Sequence, residues 1–286
     1  MACSKNDSRE SKPTHVSIIC NIDATTKTVN NGMSTKWNSG DRIMVYYAES
    51  GTTDYTKLNR GRLDCTDPEK GIFEGDLPAT FTEDKTYDWY VFYPFNSNIK
   101  VTQTNGITIG CSNTGSQAQN GNDSMAHIAG TSFPLYGSVK DVPYNEYPRI
   151  NMKNVASLIE YKVTNTLDKD VSITGLDIET SENIVGTWYV DYSGEEPKVT
   201  KFQEMVSKTA ILKVTNASAL KKGESACYYV GIAPTTIGMF NPISVVAHIS
   251  DGSNTADQTF AYMPESDIVF NAGKIKTIEL SITQIF

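Results

Sequence analysis

The side chains best suited to proton transfer or metal binding are few in this chain and lie far apart. Histidine titrates near neutral pH and is the commonest metal ligand, and only His15, His127 and His248 are present. None of the three has a cysteine, another histidine or a pair of carboxylates at the short spacings of metal sites. A histidine-based metal site is therefore not predicted.

Nucleophilic and hydrolytic chemistry has equally little support. The sequence holds no nucleophile elbow, no phosphate-binding Gly-Lys-Ser/Thr loop and no dinucleotide fingerprint. A glycosidase needs two carboxylates, and the candidate pairs are Asp41 with Asp54 and Glu195 with Glu196. It also needs an apolar pocket around its general acid, which the spacing of these residues does not specify. We interpret them as turn residues and predict no catalytic residue, no cofactor site and no enzyme activity.

The five cysteines are too widely spaced for a CxxC pair or a zinc site. They are Cys3, Cys20, Cys65, Cys111 and Cys227. An odd number leaves one cysteine outside any set of intramolecular disulfides. The other four form disulfides in an oxidising compartment or stay as buried thiols, and the sequence leaves both readings open.

Cys3 follows a small residue, Ala2, and heads a polar, turn-prone segment. This pattern is typical of the mature end of a bacterial lipoprotein, and Met1 is interpreted as a start residue placed just ahead of that end, because no apolar signal segment precedes it. We predict lipidation at Cys3. An unmodified thiol in a disordered tail is the alternative.

The charge and composition restrict the class of partner. The formal net charge is −8 with no basic run, so little of the surface could neutralise a phosphate backbone and no nucleic-acid partner is predicted. Charged residues make up 20% of the chain, below the typical value of about 25%, while Ser, Thr and Asn are abundant. This balance is typical of extracellular β-proteins.

Short runs of β-branched and aromatic residues, separated by Gly, Asn, Asp and Pro, predict strands and almost no helix. The clearest runs are 16–22, 42–47, 87–93, 158–163, 171–178, 210–214, 228–232, 243–249 and 275–282. Residues 1–13 carry almost nothing apolar and are predicted to be a flexible tether. The sequence therefore predicts an all-β protein built from sandwiches.

The length of 286 residues favours two domains, at roughly 100 to 200 residues each. The glycine-rich stretch 105–122 is predicted to be a long loop inside the first half. The strand pattern restarts near Asn151, after three prolines. We predict an N-terminal sandwich over 14–150 and a C-terminal sandwich over 151–286.

The run Tyr87 to Phe95 places aromatic rings on both faces of one strand. We interpret these rings as the core of the first sandwich. Exposed rings that stack on sugars are the alternative, with Tyr90 and Trp188 as the candidate rings.

Several motifs occur in an order that resembles the fimbrillin family. They are the Trp-x-x-Gly-Asp turn and strand at 37–46, the Gly-x-Phe strand at 71–75, the aromatic strand ending in Tyr-Pro-Phe at 87–95, the strand 153–165 and the Phe-x-Ala-Gly-Lys turn at 270–274. The resemblance covers most of the chain from Trp37 onward. It implies two transthyretin-like β-sandwiches in a lipoprotein of the bacterial outer membrane, which forms a pilus stalk, anchor or adhesive tip.

The resemblance also implies partners. These are other pilus subunits bound by strand exchange, the outer membrane through the lipid on Cys3, and a host or bacterial surface ligand that the sequence does not identify. A rival interpretation is a carbohydrate-binding surface lipoprotein of a glycan-uptake system, and a third is a secreted hydrolase.

In the family, a protease cuts after the first strand, which leaves and is replaced by a neighbour's C-terminal segment. Here Ile278, Leu280 and Ile282 alternate within a strand near the end of the sequence, as a donor strand requires. The displaced strand would be 16–22. Between that strand and Trp37 the only basic residues are Lys27 and Lys36, so cleavage at arginine, the family pattern, is not supported. Two ordinary strands of a monomer are the alternative.

Asp123, Ser124 and Met125 resemble the short motif on which such bacteria attach O-glycans to exported proteins. Ser124 is therefore a predicted glycosylation site. An ordinary turn is the alternative.

Overall fold

A computed structural model of the chain describes residues 14–22, 37–54, 58–78, 81–95, 101–102, 108–113, 115–128, 134–192, 194–201 and 206–283. Three of the predicted site residues, Cys3, Lys27 and Lys36, lie outside these ranges. Ser124 and the predicted donor strand lie within them.

The described residues form strands joined by turns, with no α-helix among them. The strands of the first half are β1 (Thr14–Ile22), β2 (Arg42–Glu49), β3 (Asn59–Asp67), β4 (Ile72–Leu77), β5 (Thr86–Tyr93), β6 (Val101–Thr102), β7 (Thr108–Asn113), β8 (Ser116–Asn120), β9 (Leu135–Pro143) and β10 (Arg149–Asn154). Those of the second half are β11 (Ser157–Asn165), β12 (Ser172–Thr180), β13 (Gly186–Asp191), β14 (Lys198–Lys201), β15 (Thr209–Thr215), β16 (Ser225–Ile232), β17 (Thr235–Ile237), β18 (Ile243–Ser250), β19 (Thr255–Tyr262), β20 (Ile268–Phe270) and β21 (Ile275–Ile282). A 3₁₀ turn spans Ala126–Ile128. The predicted all-β class is confirmed.

The chain divides into two compact units, and the division differs from the predicted boundary. The first unit holds β1 to β5 with residues 137–152, and the second holds the described residues between 101 and 136 and those from 153 onward. The predicted loop 105–122 contains β7 and β8, which pair with β13 and β15 of the second unit. Backbone pairing with these distant strands assigns this segment to the second unit.

In the first unit, seven strands form one sheet that closes on itself in the order β1, β10, β9, β5, β2, β3, β4. Strand β5 is buried on both faces, with Trp89 and Tyr90 only 3% and 4% exposed. The Trp89 ring stacks on Tyr47 with centroids 4.9 Å apart. The aromatic run therefore forms core, and Tyr90 is not an exposed sugar-stacking ring. The side chain of Trp188 lies outside the description.

In the second unit, two sheets share one core as a sandwich. One sheet has the order β16, β11, β21, and the other has the order β19, β18, β12, β15, β8. Alternate residues of both sheets point inward, because the side-chain period of a strand is two. The shared core includes Tyr161, Val163, Tyr228, Val230, Leu280 and Ile282 from the first sheet, and Ile173, Leu176, Leu212, Val245 and Ala247 from the second.

Candidate functional site

The strand predicted to be displaced, β1, lies between two neighbours in the closed sheet. It pairs antiparallel with β4 from Thr14 to Ile19, and parallel with β10 from Ile19 to Ile22. Val16, Ile18 and Cys20 are buried, as their alternation predicts, and Ile22 is partly buried. Because each half of β1 has a different neighbour, the strand forms the seam at which this sheet closes.

Hydrogen bonds at residues 19 and 20 fix β1 where its two neighbours meet. The Ile19 N–H donates to the Pro148 carbonyl at 2.9 Å, and the Cys20 N–H donates to the Gly71 carbonyl at 2.8 Å. The Trp37 indole Nε1 donates to the Cys20 carbonyl at 2.7 Å. Release of β1 therefore requires these bonds to break together.

Gly71 allows this close approach. Its φ of +66° lies in the left-handed region, and a Cβ built there would stand 2.3 Å from the Cys20 carbonyl oxygen. Only glycine has no Cβ, so it reaches this conformation and this contact without strain. The glycine of the Gly-x-Phe motif thus allows β1 to pack closely against this turn.

The cysteines that the structure describes with their side chains are free thiols. These are Cys20, Cys65 and Cys227, of which the first two are buried. Burial raises the pKa of the Cys20 thiol far above its usual range, with a further contribution from Cys65. Burial, with smaller contributions from Glu160 and Asp123, raises the pKa of Cys227 to about 11. All three thiols stay protonated near neutral pH and act as small apolar groups.

The predicted donor strand, β21, is an edge strand of the second unit. It pairs parallel with β11 along its length, from Leu158 opposite Ile275 to Asn165 opposite Ile282. Leu280 and Ile282 are buried in the core, and the predicted alternation is confirmed with Ile278 partly buried. Burial of one aliphatic side chain contributes about 1.5–3 kcal/mol, so Leu280 and Ile282 anchor β21 by roughly 3–6 kcal/mol.

The opposite edge of the same sheet, β16, is covered by side chains of β8. The Gln117 amide donates to the Gly231 carbonyl at 2.7 Å and accepts from the Gly231 N–H at 2.9 Å. The Gln119 amide accepts from the Tyr229 N–H at 2.9 Å and donates to the Cys227 carbonyl at 3.0 Å. Two glutamine side chains therefore take the place of a neighbouring strand, a role that the sequence pattern did not reveal.

The predicted glycosylation residue, Ser124, is partly buried next to a fixed turn. Asp123 adopts a φ of +59°. Its carboxylate accepts from the Cys227 N–H at 2.7 Å, and its own N–H donates to the Cys227 carbonyl at 3.1 Å. The turn alternative for this motif is consistent with these bonds, and modification of Ser124 stays a prediction.

His248 lies between two carboxylates on the outer face of the five-stranded sheet. Its Nδ1 is 2.7 Å from Asp257 on β19, and its Nε2 is 3.2 Å from Asp177 on β12. Glu179 of β12 and Lys213 of β15 are exposed on the same face. Burial acts to lower the pKa of His248, but its hydrogen bonds to Asp257 and Asp177 and the charges of these two residues outweigh burial, and the net pKa is raised above 6.5.

We expect this histidine to make stability depend on pH. A raised pKa means that the folded state binds the proton more tightly, so the stabilisation is complete below about pH 6.5 and is lost as pH rises through the folded pKa. His127, whose pKa is lowered by burial, contributes with the opposite sign over the same range, so the measurement compares wild type with His248→Asn by urea unfolding at about pH 6 and pH 8. The variant should lose more stability relative to wild type at pH 6 than at pH 8, and an equal loss at both pH values would contradict the assignment.

The described residues hold neither a cluster of metal-binding side chains nor a membrane-spanning helix. Among the described residues, no group of three or more His, Cys, Asp or Glu side chains is arranged to hold a metal ion. In the same part of the chain, no helix is long and apolar enough to span a membrane.

No family model matches the chain, and neither does any curated protein. Among solved structures, a candidate cell adhesion protein from Bacteroides ovatus ATCC 8483 is similar over 94% of this chain and 93% of its own, with a TM-score of 0.55 and 10% sequence identity. A candidate cell adhesion protein from Bacteroides uniformis ATCC 8492 is similar over 93% of this chain and 94% of its own, with a TM-score of 0.51 and 14% identity. These similarities establish a shared fold.

Proposed function

We propose that the chain is a cell-surface adhesion or pilus subunit of the fimbrillin type, which assembles by β-strand exchange. The observation that carries the proposal is the similar pattern of two strands, each of which has apolar side chains at alternate positions. There are four on β1, Val16, Ile18, Cys20 and Ile22, and three on β21, Ile278, Leu280 and Ile282. The adhesion assignment of the two proteins of similar fold supports the same class of function.

The hydrogen bonding and burial of β1 support the proposed exchange. Loss of this strand leaves β4 and β10 with unpaired backbone groups and empties the sites of Val16, Ile18 and Cys20. A strand from another subunit can restore both, because the backbone bonds give affinity and the alternate side chains give specificity. Ile278, Leu280 and Ile282 have the alternate spacing that those sites need.

The proposal has two further parts that lie outside the described residues. Lipid on Cys3 would attach an anchor subunit to the outer membrane, because two or more acyl chains bind a bilayer stably. Cleavage at Lys27 or Lys36 would detach β1 from the rest of the chain. A subunit that is not cleaved would keep β1 and serve as an anchor or a tip, and a glycan on Ser124 would mark an exported protein.

Limited digestion with trypsin tests the exchange. Wild-type protein clipped at Lys27 or Lys36 is expected to form multimers at high concentration, as measured by size-exclusion chromatography with light scattering. The double variant Lys27→Gln, Lys36→Gln should remain uncut there and monomeric. Clipped wild-type protein that stays monomeric would contradict the proposal.

A pair of variants on β21 identifies the donor. Ile278→Asn alters a partly buried donor side chain and should reduce multimers after clipping. Ser281→Asn changes the exposed face of the same strand and should behave as wild type. Equal loss in both variants would point away from side-chain recognition by β21.

A further inference from the structure

A groove in the first unit lies beside the first half of β1. Its volume is about 210 Å³, and its walls are residues 14–17 of β1, the rings of Phe81, Tyr87 and Trp89, and the segment 143–148. The groove has a simple origin in the sheet register. Strand β10 begins to pair with β1 only at Ile19, and residues 14–17 on this side of β1 line the groove instead.

The floor of the groove is aromatic and rigid. The Phe81 ring stacks on Trp89 with centroids 5.6 Å apart and meets Tyr87 edge-on at 4.8 Å. Trp89 and Tyr87 are buried, and the Tyr87 hydroxyl accepts from the Thr82 N–H at 2.8 Å. These rings are held by their neighbours, so the shape of the groove exists before any ligand arrives.

The rim of the groove carries two exposed tyrosines. Tyr144 is 38% exposed and Tyr147 is 66% exposed, and Asn145 and Glu146 stand between them. Such aromatic side chains at a surface combine a flat apolar face with a polar hydroxyl.

Hydrogen bonds hold this rim turn in place. The Tyr144 N–H donates to the Lys85 carbonyl at 3.0 Å, and the Glu146 N–H donates to the Pro143 carbonyl at 3.0 Å. Prolines at 143 and 148 fix φ at both ends of the turn. The two tyrosines are therefore presented on a preorganised turn, which lowers the entropy cost of binding.

We propose that this groove binds a neutral carbohydrate, with one sugar ring stacked on Tyr147 and its hydroxyls bonded to Asn145 and Glu146. A sugar ring has an apolar C–H face that fits an aromatic ring, and its hydroxyls both donate and accept hydrogen bonds, as amide and carboxylate groups require. The groove is smaller than the ~300–1,000 Å³ of sites for drug-sized ligands, so it takes a single sugar ring while the rest of a glycan stays outside.

The charges near the groove favour a neutral ligand. Glu146 lies on its rim, Glu83 is 3.4 Å from the Tyr144 hydroxyl, and Asp76 pairs with His15 on β1. These carboxylates disfavour uronic acids, sialic acids and phosphates at the groove. The inference goes beyond the proposed function, because it assigns a ligand class to the subunit that still holds β1, whose residues 14–17 form one wall of the groove.

The test uses the whole chain and glucose, galactose, mannose and N-acetylglucosamine as separate millimolar probes, read by saturation-transfer NMR, followed by an array of neutral and acidic glycans. Binding of at least one neutral sugar is expected, and Tyr147→Ala should weaken it at least tenfold. Glu146→Gln, which keeps an acceptor and adds a donor, should change affinity by less than Tyr147→Ala does.

Tyr262→Ala is the matched control, because Tyr262 is an equally exposed tyrosine of the second unit at 56% exposure. It should bind as wild type does. The proposal is overturned if no neutral sugar binds, if only acidic glycans bind, if Tyr147→Ala binds as wild type does, or if an extended peptide occupies the groove instead. Each of these results leaves the outcome of the trypsin experiment unaffected, so the two hypotheses fail separately.

Discussion

Substitution of Gly71 by alanine is expected to lower the free energy of unfolding of the first unit by about 3 kcal/mol or more. A left-handed φ costs an L-residue with a Cβ about 1–2 kcal/mol. The new methyl would also stand 2.3 Å from the Cys20 carbonyl oxygen, which is backbone and already accepts from the Trp37 indole. The strain and the clash add, because relief of one does not relieve the other.

Gly51→Ala is the matched control for this prediction. Gly51 has a φ of +80°, but a Cβ there would meet nothing within 4 Å. It should show the conformational cost alone, of about 1–2 kcal/mol. Urea denaturation measures both variants, and hydrogen exchange of the Cys20 amide reports whether β1 has loosened. If the two variants lowered the free energy of unfolding equally, the contact with Cys20 would make no contribution to stability.

The hydrogen bonds that hold β1 at Ile19 and Cys20 also affect the strand exchange proposed above. Under the proposed exchange, the bonds at Ile19 and Cys20 must break before β1 is released, since the Trp37 indole and the Gly71 carbonyl both bind the Cys20 backbone. A variant in which these hydrogen bonds are weakened, such as Gly71→Ala, should exchange strands faster once the chain is clipped. Cleavage of the chain and weakening of these bonds would then each promote the release of β1 separately.

The strands of this protein could be predicted from the sequence because most of them bury one face. In β1 and β21 the alternation of apolar residues predicted which side chains are buried, and Val16, Ile18, Leu280 and Ile282 are buried as expected. An alternating pattern is local information, and the period of two is sufficient to orient each side chain.

The assignment of the segment around β8 to the second unit could not be predicted. Its pairing with β15 is parallel and joins residues nearly a hundred positions apart, and no local pattern encodes such a partner. Its glycines, with Ser, Asn and Gln between them, favour a loop, because glycine and small polar residues cluster where the chain turns. The groove beside β1 could not be predicted for a related reason, since its walls come from three separate segments of the chain.

The second large effect is expected at the two buried glutamines. We expect Gln117→Met and Gln119→Met each to lower the free energy of unfolding of the second unit by about 2–4 kcal/mol. Methionine keeps the shape and apolar contacts, but Gln117→Met removes two bonds to Gly231, and Gln119→Met leaves the Tyr229 N–H without its acceptor. A buried backbone group without a partner costs roughly 1–3 kcal/mol, and the backbone cannot be replaced by an apolar group of the same shape.

Ala118→Met is the control, because Ala118 is exposed on the same strand between the two glutamines. It should change stability by less than about 0.5 kcal/mol. Hydrogen exchange separates the causes further, since the Gly231 amide should exchange faster in Gln117→Met and the Tyr229 amide faster in Gln119→Met. If either glutamine variant is as stable as Ala118→Met, the amide bonds do not stabilise the fold.

The double variant Gln117→Met, Gln119→Met should affect association between chains as well as stability. It would leave the Tyr229 N–H without its acceptor and remove both bonds from Gln117 to Gly231 along the edge of β16, and an uncovered strand edge is a template for pairing with another chain. We therefore expect this variant to self-associate without any cleavage of the chain, as measured by light scattering over a concentration series. A subunit that assembles by strand exchange needs its other edges closed, so that an incoming strand binds at one place. A double variant that is destabilised but strictly monomeric would show that the glutamines stabilise the sandwich without guarding this edge.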